Sequence, residues 1–265
     1  VLRLMLSLAL TSSPDLAVPP VQSVQSVPHT MVLTPGGDRL GYVRVPHPYT
    51  GTRRLTGVLV GRVAGTSRID QCVGTVLHGG LVLTAAHCLF QDGRMLRDLE
   101  FVPGFENGRA ALGRWPAVHA WVPRQWQRRT YTPRLLPYDV GLVAVGKPGR
   151  TLESVTGPGL RPLLTGPRAT PRRLELLGYP AGRRYPGTEQ FRCVADASQV
   201  RPGVLVTRNC QAPAGSSGSP ALYGDAVVGV VSASSPLSDP AGFTVLTRLG
   251  RPFRRLLARA NHPAA

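Results

Sequence analysis

A serine hydroxyl becomes an effective nucleophile only with help from three neighbours. An imidazole must take its proton, a carboxylate must orient the imidazole, and backbone N–H groups must receive the oxyanion. The segment Gly215-Ser216-Ser217-Gly218-Ser219-Pro220 offers three hydroxyls among glycines, and glycine lets a backbone N–H turn toward a reacting carbonyl. Such a turn is most often only a turn, so the base has to be sought elsewhere. His87 is the best placed, in Leu83-Thr84-Ala85-Ala86-His87-Cys88, where it follows an apolar run and adjoins a cysteine that a disulfide could pin. His29, His47, His78, His119 and His262 have no comparable setting and read as structural.

The elements that would hold these groups are short and β-branched. Residues 57–63, 72–77 and 80–86 read as strands, the last two joined by the turn His78-Gly79-Gly80. Residues 103–137, with prolines, arginines and aromatics, read as surface loops, and 139–145 as a compact buried strand. The stretch 146–173 is the expected crossing between two β-lobes. Six further strand-like runs follow, among them LELLGYP, FRCVA and AVVGVVS. In 251–260, Phe253, Leu256, Leu257 and Ala260 recur at i, i+3, i+4 and i+7, which predicts an amphipathic terminal helix docked on the second lobe. Its other side carries Arg251, Arg254, Arg255 and Arg259. The 30 glycines and 26 prolines suit many turns and few long helices.

Cys72, Cys88, Cys193 and Cys210 form two widely separated pairs without a C-x-x-C spacing. Two disulfides in an oxidising compartment are the simpler account than a zinc site; of three connectivities, Cys72–Cys88 with Cys193–Cys210 closes the shortest loops. Residues 1–17 carry Arg3 ahead of a short apolar run, as a signal peptide does, and 18–56 read as a linker or pro-segment. The expectation is a secreted or periplasmic protein with no transmembrane segment after processing. Net charge is +17, and Lys147 is the only lysine among the 31 basic residues. The arginines are spread along the whole chain, as GC-rich codon usage would spread them, yet they still govern which polyanions approach.

Residues 84–88, Thr-Ala-Ala-His-Cys, resemble the histidine signature of trypsin-like serine peptidases. That resemblance implies an all-β fold of two six-stranded antiparallel β-barrels, chymotrypsin-like, with a C-terminal α-helix, over residues 57–265. It places a disulfide between Cys72 and Cys88 across the histidine hairpin, and assigns Asp139, in Tyr138-Asp139-Val140-Gly141, as the orienting carboxylate. It makes Ser217 of the G-x-S-G-x-P turn the nucleophile rather than Ser216 or Ser219, with an oxyanion hole at Gly215 and Ser217. The rival carboxylates Asp92 and Asp98 sit in a polar loop, whereas an orienting carboxylate needs a fixed and shielded place. The serine before Pro220, the Gly178-Tyr179-Pro180 run and the Cys193/Cys210 spacing resemble the bacterial branch that includes glutamyl endopeptidases. Ser216 stands where animal digestive members carry an activating aspartate, so that ionic switch is absent.

By the same resemblance Gln211 and Ala212 lie near the base of the specificity pocket, Val231, Ser232 and Ser234 form one wall, and Thr244 lies opposite. A base without an acid argues against cleavage after Lys or Arg. Val231 and Ala212 replace the histidine and threonine that hold a glutamate, so a small or medium neutral side chain is expected. The implied activity is a serine endopeptidase acting on protein or peptide substrates as a monomer, without cofactor or metal. The alternative is a cationic, non-catalytic protease homologue that binds acidic polymers or surfaces; such proteins usually lose a triad member, and here all three are present. Trp121, Trp126 and Tyr131 interleave with Arg124, Arg128, Arg129 and Arg134. They read as a solvated loop packed on a barrel rather than a nucleic-acid platform.

Overall fold

Leu40, Tyr42, Val45 and Tyr49 are each under a tenth exposed, so packing begins well before Gly57, where the sequence reading started it. Leu40 and Tyr42 join the apolar cluster of the second barrel, and Val45 and Tyr49 join that of the first. The computed structural model describes residues 34–127, 131–164, 166, 171–182 and 184–262. The expected signal segment and the first part of the linker lie outside these. Within 34–56, strand β1 (Val43–Arg44) and the single turn α1 (Thr52–Leu55) lead into the barrels.

The first barrel consists of β2 (Thr56–Arg62), β3 (Ile69–Val76), β4 (Leu81–Thr84), β7 (Arg97–Pro103), β8 (Trp115–Trp121) and β9 (Gly141–Val145). A ribbon of β5 (Phe90–Gln91) and β6 (Arg94–Met95) projects between β4 and β7. The sheet runs β2-β3-β4-β9-β8-β7 and closes through β2 against β7. A half-exposed strand would alternate buried and open residues, yet β2 and the second half of β3 are nearly continuously buried. Their inner faces line the barrel, and Val58 and Val73 pack outward on Tyr179 of the second lobe. β8 corrects the reading of 103–137 as surface loops: Trp115 is fully buried in the barrel and Trp121 nearly so. Pro116 disguises the strand in sequence, because a proline ordinarily argues against a central strand.

The second barrel follows a short β10 (Arg161–Pro162). It contains β11 (Arg173–Gly178), β14 (Phe191–Arg201), β15 (Val204–Thr207), β16 (Pro220–Tyr223), β17 (Ala226–Ser234) and β18 (Thr244–Arg248), with a ribbon of β12 (Ala181–Gly182) and β13 (Tyr185–Pro186). The order β14-β11-β16-β17-β18-β15 closes through β14 and β15; β1 adds to β14, and β10 lies parallel beside β17. Leu174, Leu176, Ala195, Leu205, Val228 and Leu246 fill its interior. Two closed barrels and a terminal helix are the expected fold. Both disulfides, Cys72–Cys88 and Cys193–Cys210, are formed.

After the short helices α2 (Arg124–Gln127) and α3 (Glu153–Thr156), the terminal helix α4 (Arg251–Asn261) does not dock on the second lobe as expected. Phe253 and Leu256 join the first barrel's cluster, and the helix packs against β9 and the segment Pro133–Tyr138. The cause is where β18 delivers it: Thr247 Oγ1 donates to the Leu136 carbonyl, so the chain leaves the sheet beside the first barrel. Cys72–Cys88 closes a loop with a sequence separation of 16. Replacing both by serine is expected to cost about 3 kcal/mol, from loop entropy restored to the unfolded chain. Urea unfolding of the Ser217→Ala background, with and without the pair, measures it.

Candidate active site

His87 is held by a tight turn. Ala86–Cys88 forms a single 3-10 turn after β4, with the Cys88 and Leu89 N–H groups donating to the carbonyls of Ala85 and Ala86. Ala85 and Ala86 are fully buried, and the disulfide ties Cys88 to β3. Only small side chains fit under this turn, and it turns the imidazole outward, 28% exposed.

Asp139 arrives from the 3-10 segment Pro133–Tyr138, whose last turn closes through the Asp139 N–H on the Leu136 carbonyl. It therefore precedes β9 instead of lying on the strand, as the sequence reading had it. Its side chain is 1% exposed. A buried carboxylate must be satisfied by donors, and this one has three. The His87 backbone N–H donates to Oδ1 at 2.9 Å, His87 Nδ1 lies 2.8 Å from Oδ2, and Ser232 Oγ donates to Oδ2. Asp98 pairs with Arg62 at an exposed site, and Asp92 lies in an exposed turn, and neither is hydrogen-bonded to the imidazole. Burial draws the imidazole toward its neutral form, but the Asp139 charge and hydrogen bond, with Asp70 adding, outweigh it and hold the His87 pKa above the usual value.

The serine turn is clamped between the barrels. Its Ser217 carbonyl accepts from the Val73 N–H at 2.8 Å, and the Gly218 N–H donates to Val231 of β17 at 2.8 Å. A Cβ at Gly218, where φ is +81°, would stand 2.3 Å from both Thr84 Oγ1 and the Val73 carbonyl. Gly215 has φ +80°, and the Ser216 N–H donates to the Pro213 carbonyl, a turn that calls for glycine at its third residue. The Ala214 carbonyl accepts from the Ala181 N–H at 2.7 Å. In a planar trans peptide the next N–H points the opposite way, so that of Gly215 faces away from Ala181. Among the described residues, neither the Gly215 nor the Ser217 N–H has a protein acceptor. Both N–H groups remain available as donors in the turn that carries Ser217.

Burial separates the three serines. Ser216 and Ser219 are each 2% exposed, with hydroxyls shut away from solvent, while Ser217 is partly open. Ser217 Oγ has no hydrogen-bond partner among the described residues; serine–imidazole contacts are commonly longer before substrate arrives.

The expected pocket residues divide. Gln211 lies near Gly242, where a Cβ would come within 2.3 Å of its amide, and its Nε2 donates to Ser235 Oγ and the Pro236 carbonyl. Ala212 is buried, and its N–H donates to Thr244 Oγ1, which in turn donates to the Cys210 carbonyl. Thr244 thus spends its hydroxyl on the backbone. The Val231 side chain points into the second barrel's core, and the Ser232 hydroxyl binds Asp139, so neither side chain is open to solvent. Ser234 Oγ donates to the Phe243 carbonyl. Sequence reasoning missed Ser235, Pro236 and Gly242; the glycine in Ala241-Gly242-Phe243 was the one available signal. Trp126 is buried with Nε1 on the Phe90 carbonyl, so neither it nor Trp121 offers a face for base stacking. Arg128 and Arg129 lie outside the described residues.

A double barrel with an Asp–His pair and a serine turn between the lobes defines a class of hydrolase. The sequence model of the trypsin family, described as Trypsin, matches residues 59–253; the chain belongs to that family. Among solved structures it is similar to the protease Anisep from Arthrobacter nicotinovorans, with TM-score 0.68, 22% identity, and 79% of this chain and 97% of that one covered. It is also similar to a Glu endopeptidase in complex with MPD, with TM-score 0.67, 17% identity, and coverages of 83% and 95%. A scabies mite inactivated protease paralogue shares the fold as well, with TM-score 0.59, 15% identity, and coverages of 79% and 94%. At these identities the likeness is one of fold. No curated protein sequence matches the chain. No helix of the described residues is long and apolar enough to cross a membrane.

Only neutral His87 can accept a proton, and its pKa is raised. Turnover of a peptide ester should therefore fall on the acid side with a midpoint above about pH 6.5. Removing the Asp139 charge in Asp139→Asn should move that midpoint to lower pH while cutting the rate on the order of 10^4-fold, as in the triad template. A pH–rate series on both proteins checks the direction of the shift.

Proposed function

We propose that the protein is a secreted serine endopeptidase that cleaves peptide bonds through an acyl-enzyme on Ser217. The reading rests on one observation above all. Asp139 is buried against His87 Nδ1 at 2.8 Å, and the partly open Ser217 has two unengaged N–H groups at its turn. Membership of the trypsin family supports the same chemistry.

The steps follow from these groups. His87 takes the Ser217 proton as Oγ attacks the carbonyl carbon, while Asp139 holds the tautomer that leaves Nε2 free and balances the imidazolium. The Gly215 and Ser217 N–H groups receive the oxyanion, each worth roughly 3 kcal/mol of barrier in comparable sites. His87 returns the proton to the leaving amine, and water, activated by the same imidazole, hydrolyses the acyl-enzyme. The pocket near Gln211 holds no charged base and favours a small or medium neutral residue before the scissile bond. The two disulfides fit an oxidising compartment, and residues 1–17 fit an export signal. The protein acts as a monomer on protein or peptide substrates, without a nucleic-acid partner.

A fluorophosphonate probe should label the wild type, and Ser217→Ala should abolish labelling and lower kcat on the order of 10^6-fold. Absence of labelling on folded wild-type protein would instead favour the non-catalytic cationic reading, for which the inactivated paralogue is a structural precedent.

A further inference from the structure

A groove of about 830 Å3 lies away from the serine turn, between α4, the segment 123–125, the turn at Pro137 and Tyr138, and the hairpin at Pro202 and Gly203. Arg124, Arg248, Arg251, Arg255 and Arg259 line it, and among the described residues no acidic side chain does. Three of these arginines recur at i, i+4 and i+8 on α4, stacked on one face where like charges repel. Arg251 also occupies the first turn of α4, which has no acidic residue and no side-chain cap. Positive charge there opposes the helix dipole. Among the described residues, the side chains of Arg124, Arg251, Arg255 and Arg259 have no ion-pair or hydrogen-bond partner. Arg248 also stands on the groove wall. The stacked arginines and the cation at the start of the helix are each unfavourable alone, and an anion in the groove would relieve both.

We propose that this groove binds a compact, multivalent phosphate. Arginine forks pair bidentately with phosphate oxygens, and a helix N-terminus adds attraction for the same charge. The volume lies in the range of small-molecule sites. Among the described residues Tyr138 is the only aromatic in the wall, so these residues do not offer the successive stacking faces that single-stranded nucleic acid uses. None of the large exposed apolar side chains line it, which argues against a bilayer. Pro137 and Tyr138 run directly into Asp139, so bound phosphate would brace the back of the segment that carries the carboxylate.

Calorimetric titration of the full chain carrying Ser217→Ala with inorganic tripolyphosphate tests this, and the readout does not depend on catalysis. The expected result is one saturable site. It weakens at least tenfold in Arg255→Ala/Arg259→Ala and in Arg124→Glu, and is unchanged in Arg109→Ala/Arg150→Ala, an exposed pair outside the groove with the same loss of charge as the first variant. All variants should keep the circular dichroism of the parent. No saturable heat, or equal weakening in the groove and control pairs, would overturn the site. Tighter binding of a poly-glutamate peptide or an oligonucleotide than of tripolyphosphate would overturn the assignment to phosphate.

Discussion

A carboxylate at 1% exposure is costly to hold in a protein, and Asp139 can be there only because its oxygens are met by fixed donors. Those donors come from both lobes. His87 supplies its backbone N–H and imidazole from the first barrel, and Ser232 supplies its hydroxyl from β17 of the second. The buried charge therefore orients the base and also ties the base to the neighbouring barrel. Losing one donor would leave the carboxylate short of a partner in a place that water scarcely reaches.

The serine turn obeys the same geometry from the other side. It hangs from β17 through Gly218 and Val231, and rests on β3 through Val73 and Ser217. The Cys72–Cys88 disulfide runs from that same β3 to the histidine turn. Proposed base and proposed nucleophile are thus referenced to one strand of the first barrel and one of the second. A shift between lobes would disturb several hydrogen bonds together, which is how a site split between two barrels can be pre-organised. The polar partners of Gln211, Ser235 Oγ and the Pro236 carbonyl, carry no charge, even though the chain carries +17 overall. The excess charge is concentrated elsewhere, partly in the groove beside α4.

Much of this was legible in sequence, for reasons that also mark where reading stops. The run Thr84–Cys88 and the Gly/Ser turn are local, so a short match is enough to bring His87 and Ser217 forward as candidates. Burial then separates Ser217 from its neighbours Ser216 and Ser219. Short β-branched runs announced most strands. β8 was missed because Pro116 and the surrounding arginines look like loop, while the strand forms by pairing with β7 and β9 far away in sequence. The apolar stripe of α4 predicted a helix but not what covers it; β18's exit beside Leu136 decided that. The bond from Ser232 to Asp139 was not visible because nothing local distinguishes a hydroxyl facing substrate from one reaching a carboxylate 93 positions earlier. The packing of residues 40–49 was hidden for a similar reason: a Pro- and Gly-rich segment looks like linker until the surface it covers is known.

The central claim is that Ser217, activated by His87 and Asp139, forms a covalent acyl intermediate. Brief incubation of the processed protein with an activated ester, an acid quench and mass mapping of the peptides tests it directly. The account predicts a stoichiometric acyl adduct on the peptide containing Ser217, absent from Ser217→Ala and much slower to form in His87→Ala. An adduct on another residue, or one forming at the same rate in His87→Ala, would contradict it.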